Sequence, residues 1–252
     1  DRSVVPKLAE ALKARGNDVQ ILYSGSDLKG ADRAIVLGGD GALLHTAVTA
    51  AKQNAEVMGI NYGTLGFLCE FEAKETMQAV ELICGEHEIL PRTMLKITVD
   101  DKEFYALNET VLQRDYARPY GNQVAEIGVL LNGHKTYDYV ADGIVVATPT
   151  GSTAYSLSAG GSILTPDVKA FIVTPICALS LFARPTVISD ENKVSFDLSN
   201  QKDKMNLFAD GKPIASVTKE SHILIEKAPF TANFITGNKN RLFATLYKKL
   251  LR

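Results

Sequence analysis

Apolar residues in the first third of the chain alternate between helical spacing and short continuous runs. Val4, Leu8 and Leu12 recur every four residues ahead of Gly16, which predicts a helix that ends near that glycine. The pattern further predicts strands over 19–23, 34–37 and 57–60 and helices over 42–52 and 72–84. Strands that alternate with helices are typical of a parallel sheet with crossover helices. Because such folds usually begin with a strand, we expect the first strand of this domain to lie before Asp1.

Beyond residue 93 the pattern changes to short β-forming runs that are separated by turn residues. Asn132-Gly133 and Asp210-Gly211 each lie between apolar alternations, as the central residues of type I′ hairpin turns do. The runs predict strands over 95–99, 105–112, 124–131, 143–147, 171–174, 194–198 and 222–225. Helical spacing returns only in the last segment, over 240–252. Many short strands with hairpin turns are typical of a β-sandwich or a barrel.

The predicted fold class is therefore α/β plus all-β. We expect an N-terminal Rossmann-like α/β domain over 1–93 and a C-terminal β-sandwich domain over 94–235. A C-terminal helix within 236–252 is expected to return to the first domain and pack on it. The 252 residues suffice for two ordinary domains, and a hydrophobic content of 46% allows a sizeable core.

Composition and charge argue against several classes of function. The net charge of −2, without a dense basic run, argues against a nucleic-acid partner. The longest apolar stretch, 171–183, contains polar residues and is shorter than the roughly 20 residues of a membrane-spanning helix, so we expect no membrane segment. The three cysteines form no CxxC pair, which argues against structural zinc and favours a reducing compartment, the cytoplasm. We expect no metal site made of protein ligands alone.

The sharpest local feature is Gly38-Gly39-Asp40-Gly41, between a predicted buried strand and an alanine-rich helix. Glycines there allow backbone N–H groups to approach a phosphate at a helix N-terminus. A carboxylate beside phosphates needs a cation or a hydroxyl proton as its partner, so Asp40 is a candidate base or a residue that handles Mg²⁺. An ordinary turn in which Asp40 caps the helix stays open as the alternative. The P-loop, GxGxxG and GxSxG patterns are absent from the sequence.

Two further features concern the predicted β domain. Residues 148–161 are rich in Thr, Ser, Tyr and Gly, which is typical of a polar lining that a ligand approaches closely, although a solvated loop explains the same composition. Asn108 and Glu109 interrupt an apolar strand, where either a ligand or an exposed sheet edge would accommodate them.

Together these motifs resemble the NAD kinase family. Gly38-Gly39-Asp40-Gly41, Asn108-Glu109 and the TPTGSTAY stretch from Thr148 to Tyr155 occur in the order and approximate spacing of that family. The resemblance covers nearly the whole chain, including the segments 59–61, 63–67 and 183–185. GGDG is shared with lipid and sugar kinases, whereas the hydroxyl-rich stretch is much more restricted.

The resemblance implies roles for particular residues. Asp40 is implied to be the catalytic base that serves the adenosine 2′-hydroxyl of NAD. The remaining implied positions bind phosphate or dinucleotide and are Gly41, His45, Phe67, Asn108, Glu109, Asp142, Thr153, Ala154, Tyr155, Ser158 and Asp210. Simpler explanations stay open for several of them, because His45 fits a surface helix, Phe67 a core, and Asp210 a hairpin turn.

The resemblance also implies the activity and the partners. ATP or another phosphoryl donor would phosphorylate NAD to NADP with Mg²⁺ or another divalent cation, in a homodimer or homotetramer. The alternatives are another GGDG kinase, acting on a lipid or a sugar, and an NAD-binding regulator without catalysis. Ala42 departs from the family pattern, because Thr or Ser usually follows GGDG.

Overall fold

The computed structural model describes residues 4–63, 66–116, 124–237 and 241–250. These residues divide into two compact units. The first unit holds the described residues of Asp1–Arg92 and Ala232–Arg252, and the second is the continuous segment Thr93–Thr231. No helix in the described part of the chain is both long and apolar enough to cross a membrane.

The first unit is an α/β sheet with helices on both faces. Its elements are α1 (Val4–Lys13), β1 (Arg33–Leu37), α2 (Asp40–Lys52), β2 (Glu56–Asn61), β3 (Phe71–Glu72), α3 (Thr76–Cys84) and β4 (Glu88–Arg92). Two C-terminal elements complete the unit, β17 (Ala232–Thr236) and α5 (Arg241–Leu250). The main strand order is β1-β2-β17-β4, and β3 pairs with the end of β2.

Alternating residues of β2 explain the layers of this unit. Met58 and Ile60 pack with the apolar side chains of α1 and α3 on one face. Gly59 faces α2, and a Cβ atom at this position would lie 2.5 Å from Leu43 Cδ2. The glycine is therefore required for the close approach of helix and strand.

The second unit is a β-sandwich. Its strands are β5 (Leu95–Val99), β6 (Lys102–Ala106), β7 (Glu109–Arg114), β8 (Ala125–Leu131), β9 (His134–Ala141), β10 (Gly143–Ala147), β11 (Ala170–Ile176), β12 (Thr186–Ser189), β13 (Val194–Asp197), β14 (Met205–Ala209), β15 (Lys212–Val217) and β16 (Ile223–Lys227). One antiparallel sheet has the order β12-β11-β10-β7-β14-β15 and the other β6-β5-β16-β13-β8-β9. A short helix, α4 (Tyr155–Ser158), follows β10. The core of the sandwich includes Leu112, Phe171, Val194 and Ile225, which come from both sheets.

The predicted fold class is confirmed, with local differences. Residues 19–23 form no strand, and the run 105–112 is divided into β6 and β7. The strand β17 was not predicted; it begins within the range 94–235 that we assigned to the second domain, but it is a member of the first sheet. Both predicted type I′ turns are confirmed, because Asn132 and Gly133 have φ of 51° and 80° and Asp210 and Gly211 have φ of 46° and 75°.

Candidate functional site

The glycine turn of the first unit connects β1 to α2. Gly39 is the residue before the helix, and no side chain caps it. Asp40 therefore does not act as the ordinary cap that the sequence left open. A Cβ atom at Gly39 or Gly41 would meet no atom within 4 Å, and neither residue has positive φ. Because the fold requires glycine at neither position, the open backbone fits close approach by a ligand such as phosphate.

The carboxylate of Asp40 is held by the segment that follows β2. Phe67 N donates to Asp40 Oδ2 at 2.7 Å, and Leu68 N donates to Asp40 Oδ1 at 3.2 Å. A Cβ atom at Gly66 would lie only 1.9 Å from Asp40 Oδ1. Gly66 thus leaves the space that the carboxylate occupies, and the two N–H groups set its orientation. The neighbouring motif residues Thr64 and Leu65 lie outside the described residues.

A half-buried cation, Arg92, lies in the same unit. Burial lowers the pKa of Arg92 to about 10, and the nearby carboxylates of Glu70 and Asp40 act in the opposite direction. The Arg92 guanidinium lies over the ring of Phe234, 4.8 Å from its centroid. Sequence reasoning missed Arg92, although a charged residue among the apolar residues of β4 was a usable signal. By contrast, His45 and Gly41 are simply exposed on α2.

In the second unit, Asn108 and Glu109 form a buried corner between β6 and β7. Their side chains are 9% and 7% exposed. Strand β7 lies between β10 and β14 in the middle of its sheet, so the explanation as an exposed edge is wrong. Among the described residues, Asn108 Oδ1 and Glu109 Oε2 are buried without a hydrogen-bond partner. Buried polar atoms without partners are rare, and here they indicate a ligand with hydrogen-bond donors.

Asp210 and Thr148 hold the backbone of this corner. The Asp210 carboxylate accepts N–H bonds from Leu107 at 2.8 Å, from Asn108 at 2.8 Å and from Glu109 at 3.2 Å. Thr148 Oγ1 donates to Leu107 O at 2.6 Å, and Thr148 N donates to Asn108 O at 2.8 Å. These bonds replace the strand pairing that the sequence predicted through residues 107 and 108.

The Glu109 carboxyl group lies in an unusual electrostatic environment. Burial and, to a smaller extent, the nearby Asp210 carboxylate raise its pKa to about 7, against the effect of a hydrogen bond from the Tyr155 backbone. Burial also raises the pKa of Asp210, against the effect of its three N–H donors. The buried carboxyl group of Glu109 and the half-buried one of Asp210 are therefore in competition for ionisation.

The hydroxyl-rich stretch has two kinds of residue. Thr148, Thr150, Ser152 and Ser156 are buried, and the Ser152 hydroxyl, for example, donates to Pro149 O at 2.6 Å. This part is structural rather than the ligand lining that its composition indicated. The remaining members, which the resemblance selected, are half-buried or exposed and are Thr153, Ala154, Tyr155 and Ser158.

Tyr155 has polar neighbours from several elements. Burial raises the pKa of its phenol, as do the nearby Tyr116, Cys177 and Asp142. Asp142 forms an ion pair with Arg114, with Nε and Oδ1 2.8 Å apart. The Arg114 guanidinium lies 4.6 Å from the centroid of the Tyr116 ring. The structure thus places the predicted residues Tyr155 and Asp142 close together, and it adds Arg114, which sequence reasoning missed.

Metal ligands are sparse in the described part of the chain, which contains no group of three or more His, Cys, Asp or Glu residues that could hold an ion. Mg²⁺ is commonly bound through one or two carboxylates together with substrate phosphates and water. The residues present therefore fit a cation that would arrive with a triphosphate and be held chiefly by its phosphates and by water.

Comparison with known proteins identifies the family. The model of the ATP-NAD kinase N-terminal domain matches residues 10–89, and that of the ATP-NAD kinase C-terminal domain matches residues 107–237. The NAD kinase of Carboxydothermus hydrogenoformans is 39% identical over 228 residues, which cover 88% of this chain and 79% of that protein. The chain belongs to the ATP-NAD kinase family. The NAD kinase of Caldanaerobacter subterraneus is 35% identical over 99% of this chain and 89% of its own length.

Solved structures agree with this membership of the ATP-NAD kinase family. An NAD kinase from Archaeoglobus fulgidus in complex with ATP has a TM-score of 0.81 and 27% identity, and the match covers 96% of this chain and 94% of that one. Yeast NADH kinase complexed with NADH has a TM-score of 0.78 and 29% identity, over 88% of this chain and 66% of the yeast chain.

Proposed function

We propose that this chain phosphorylates the adenosine 2′-hydroxyl of NAD, with ATP as donor, to produce NADP. The observation that supports the proposal most directly is the Asp40 carboxylate, which two backbone N–H groups orient beside an open glycine turn at a helix N-terminus. Membership of the ATP-NAD kinase family supplies the substrate class.

In this mechanism the chain positions charges and does little covalent chemistry of its own. The N–H groups of the turn from Gly39 to Gly41 bind the donor phosphates, whereas the Gly38 N–H donates to Ile60 O at 3.0 Å. Asp40 accepts or orients the proton of the 2′-hydroxyl, because each of its oxygens keeps a lone pair beyond its N–H bond. A divalent cation, when bound, neutralises phosphate charge.

The dinucleotide binds to the second unit in this proposal. Asn108 and Glu109 offer acceptor oxygens to its hydroxyl and amino groups. The remaining contacts are made by Asp142, Thr153, Ala154, Tyr155 and Ser158. Within the first unit we propose substrate contacts by Gly41, His45 and Phe67, and the imidazole of His45 helps to neutralise phosphate.

The test is to incubate purified protein with NAD, ATP and Mg²⁺ and to detect NADP with an NADP-specific dehydrogenase. We expect Asp40→Asn to lower kcat at least about 100-fold, the lower range for the loss of a general base, while NAD still binds in calorimetry. Asp27→Asn is the matched control, because Asp27 also accepts a backbone N–H, from Lys29 at 2.8 Å, in a turn of the same unit. Near-normal turnover by Asp40→Asn would exclude Asp40 as the base, and NAD binding without NADP formation would favour a non-catalytic regulator.

Two further parts of the proposal concern assembly and location. We infer a homodimer or homotetramer, because Leu179, Leu181 and Phe182 are 66%, 83% and 93% exposed in one loop. Sedimentation of Phe182→Asp beside the unchanged protein tests this point.

We infer a cytoplasmic location, because the three cysteines are free thiols, as a reducing compartment keeps them.

A further inference from the structure

The corner of Asn108 and Glu109 presents two acceptor atoms to one ligand. Asn108 Oδ1 and Glu109 Oε2 are buried and have no partner among the described residues. A ligand that satisfies both must bring hydrogen-bond donors, as vicinal hydroxyl groups or an exocyclic amine do. An ionised carboxylate accepts such bonds better than a neutral acid, since charge-assisted hydrogen bonds are the stronger ones.

Before a ligand binds, the environment of Glu109 opposes that ionisation. Burial and the Asp210 carboxylate hold the pKa of Glu109 at about 7. The other facing groups are the Tyr155 backbone N–H, which favours the charged form, and Lys212, which acts on Asp210. Asp210 is the better placed of the two acids to keep its charge, because three backbone N–H groups donate to it. Glu109 is therefore the acid that holds a proton near neutral pH.

The role of Asp210 follows from its bonds. Both of its carboxylate oxygens accept backbone N–H bonds from residues 107–109, and its own N–H donates to Glu109 O at 3.0 Å. Both carboxylate oxygens are thus bonded to the protein's own backbone. Asp210 therefore affects a substrate only indirectly, by fixing the position of residues 107–109.

We propose that Asp210 is a positioning residue that acts on the dinucleotide through Glu109, and that dinucleotide binding expels the Glu109 proton to solvent. The inference rests on the proposed function only for the identity of the ligand, NAD. In this step the Glu109 carboxylic acid becomes a carboxylate that accepts hydrogen bonds from the ligand, and one proton passes to the buffer.

The test is calorimetric titration of the full chain with NAD, without ATP, in two buffers of different ionisation enthalpy. With a pKa of about 7 in the free protein and an ordinary value when bound, we expect release of about 0.9 proton at pH 6 and about 0.1 at pH 8. Affinity should rise about fivefold between pH 6 and pH 7 and less than about twofold between pH 7 and pH 8.

Three variants separate positioning from general structural damage. Glu109→Gln should bind NAD without proton release and with an affinity independent of pH between 6 and 8. Asp210→Asn should move the midpoint of proton release to lower pH and tighten binding at pH 6 several-fold, relative to pH 8. Asp100→Asn is the matched control, since Asp100 also has positive φ at a hairpin turn and accepts the His222 N–H at 2.9 Å; its proton release should equal that of the unchanged protein.

The outcomes distinguish this inference from the proposed function. NAD binding without proton release at pH 6, or an unshifted midpoint in a folded Asp210→Asn, would overturn the inference even if NADP is formed. Proton release on NAD binding without NADP formation would uphold the inference and overturn the proposed function. Should Asp210→Asn fail to fold, the unchanged protein and Glu109→Gln still decide whether the proton comes from Glu109.

Discussion

At the scale of single residues, the lack of a side chain at Gly66 makes room for the Asp40 carboxylate. The carboxylate of Asp40 fills the volume that any side chain at position 66 would need, because a Cβ atom there would lie 1.9 Å from Oδ1. Its two N–H donors, Phe67 and Leu68, belong to the same segment. A single methyl group at Gly66 therefore tests whether the orientation of Asp40 matters.

We expect Gly66→Ala to lower kcat by about 100-fold or more while the protein stays folded, because the carboxylate must leave its two N–H donors. Steady-state NADP formation and the thermal unfolding midpoint measure the two effects. Gly237→Ala is the control in the same unit, since its Cβ would meet Leu82 at an ordinary 3.6 Å. Equal turnover of both variants would contradict the idea that Gly66 positions Asp40.

The raised pKa of Glu109 predicts that its contribution to the free energy of unfolding depends on pH. Its folded pKa of about 7 lies above the ordinary value of 4.5. The neutral acid therefore stabilises the folded state below about pH 4.5, and this contribution is lost as pH rises through about 7. Glu109→Gln, which is always neutral, should be more stable than the unchanged protein at pH 8 by about 1–3 kcal/mol, with no difference near pH 4.5. Urea unfolding at both values measures the change, and a difference that is constant with pH would contradict it.

At the scale of elements, the start of α2 is formed without a side-chain cap. Ala42, the departure from the family pattern, is exposed in the first turn of the helix. A hydroxyl group at this position would add a donor beside the bound phosphates. We expect Ala42→Ser to lower the KM for ATP about threefold to tenfold, as one added hydrogen bond to a charged group does, with little change in the KM for NAD. An unchanged KM for ATP would show that position 42 does not contact the triphosphate.

The hairpin between β8 and β9 tests an element outside the proposed site. Gly133 has φ of 80°, which a residue with a Cβ atom adopts at a cost. We expect Gly133→Ala to lower the free energy of unfolding by about 1 kcal/mol and to leave NADP formation unchanged. Urea unfolding and the coupled assay measure both quantities, and unchanged stability would mean that the turn adapts to alanine.

At the scale of the whole molecule, one unit is formed by a single continuous segment of the chain and the other by two separate segments. The second unit is one continuous segment with its own core, Thr93–Thr231. The first unit needs β17 from the end of the chain, because this strand lies between β2 and β4 in the sheet. Among the described strands β4 pairs with β17, so the loss of β17 would leave β4 without this neighbour and remove the apolar surface of Ile235 and Phe234 from the core.

We therefore expect the fragment 93–231 to fold alone and the fragment 1–92 to stay unfolded. Amide proton dispersion in NMR spectra and a cooperative thermal transition measure this difference. Addition of residues 232–252 to the first fragment through a flexible linker should restore its folding. A folded fragment 1–92 would show that β17 is dispensable for the first sheet.

Local features of the chain were predictable from sequence because they depend on neighbouring residues. The periodicity of α1 and α2, the run of β10 and both type I′ turns follow from residues within a few positions of each other. The motif from Gly38 to Gly41 and the pair Asn108-Glu109 were visible for the same reason.

Tertiary structure alone decided the features that join distant segments. Asp210 holds the backbone of residues 107–109 because its carboxylate accepts three N–H groups that lie about a hundred positions away in sequence. Part of the hydroxyl-rich stretch is structural, because the hydroxyl groups of Thr148 and Ser152 donate to backbone carbonyls of the protein itself. Local pattern thus determined which elements form and where candidate chemistry lies, whereas burial and long-range hydrogen bonds decided which polar atoms are left for a ligand.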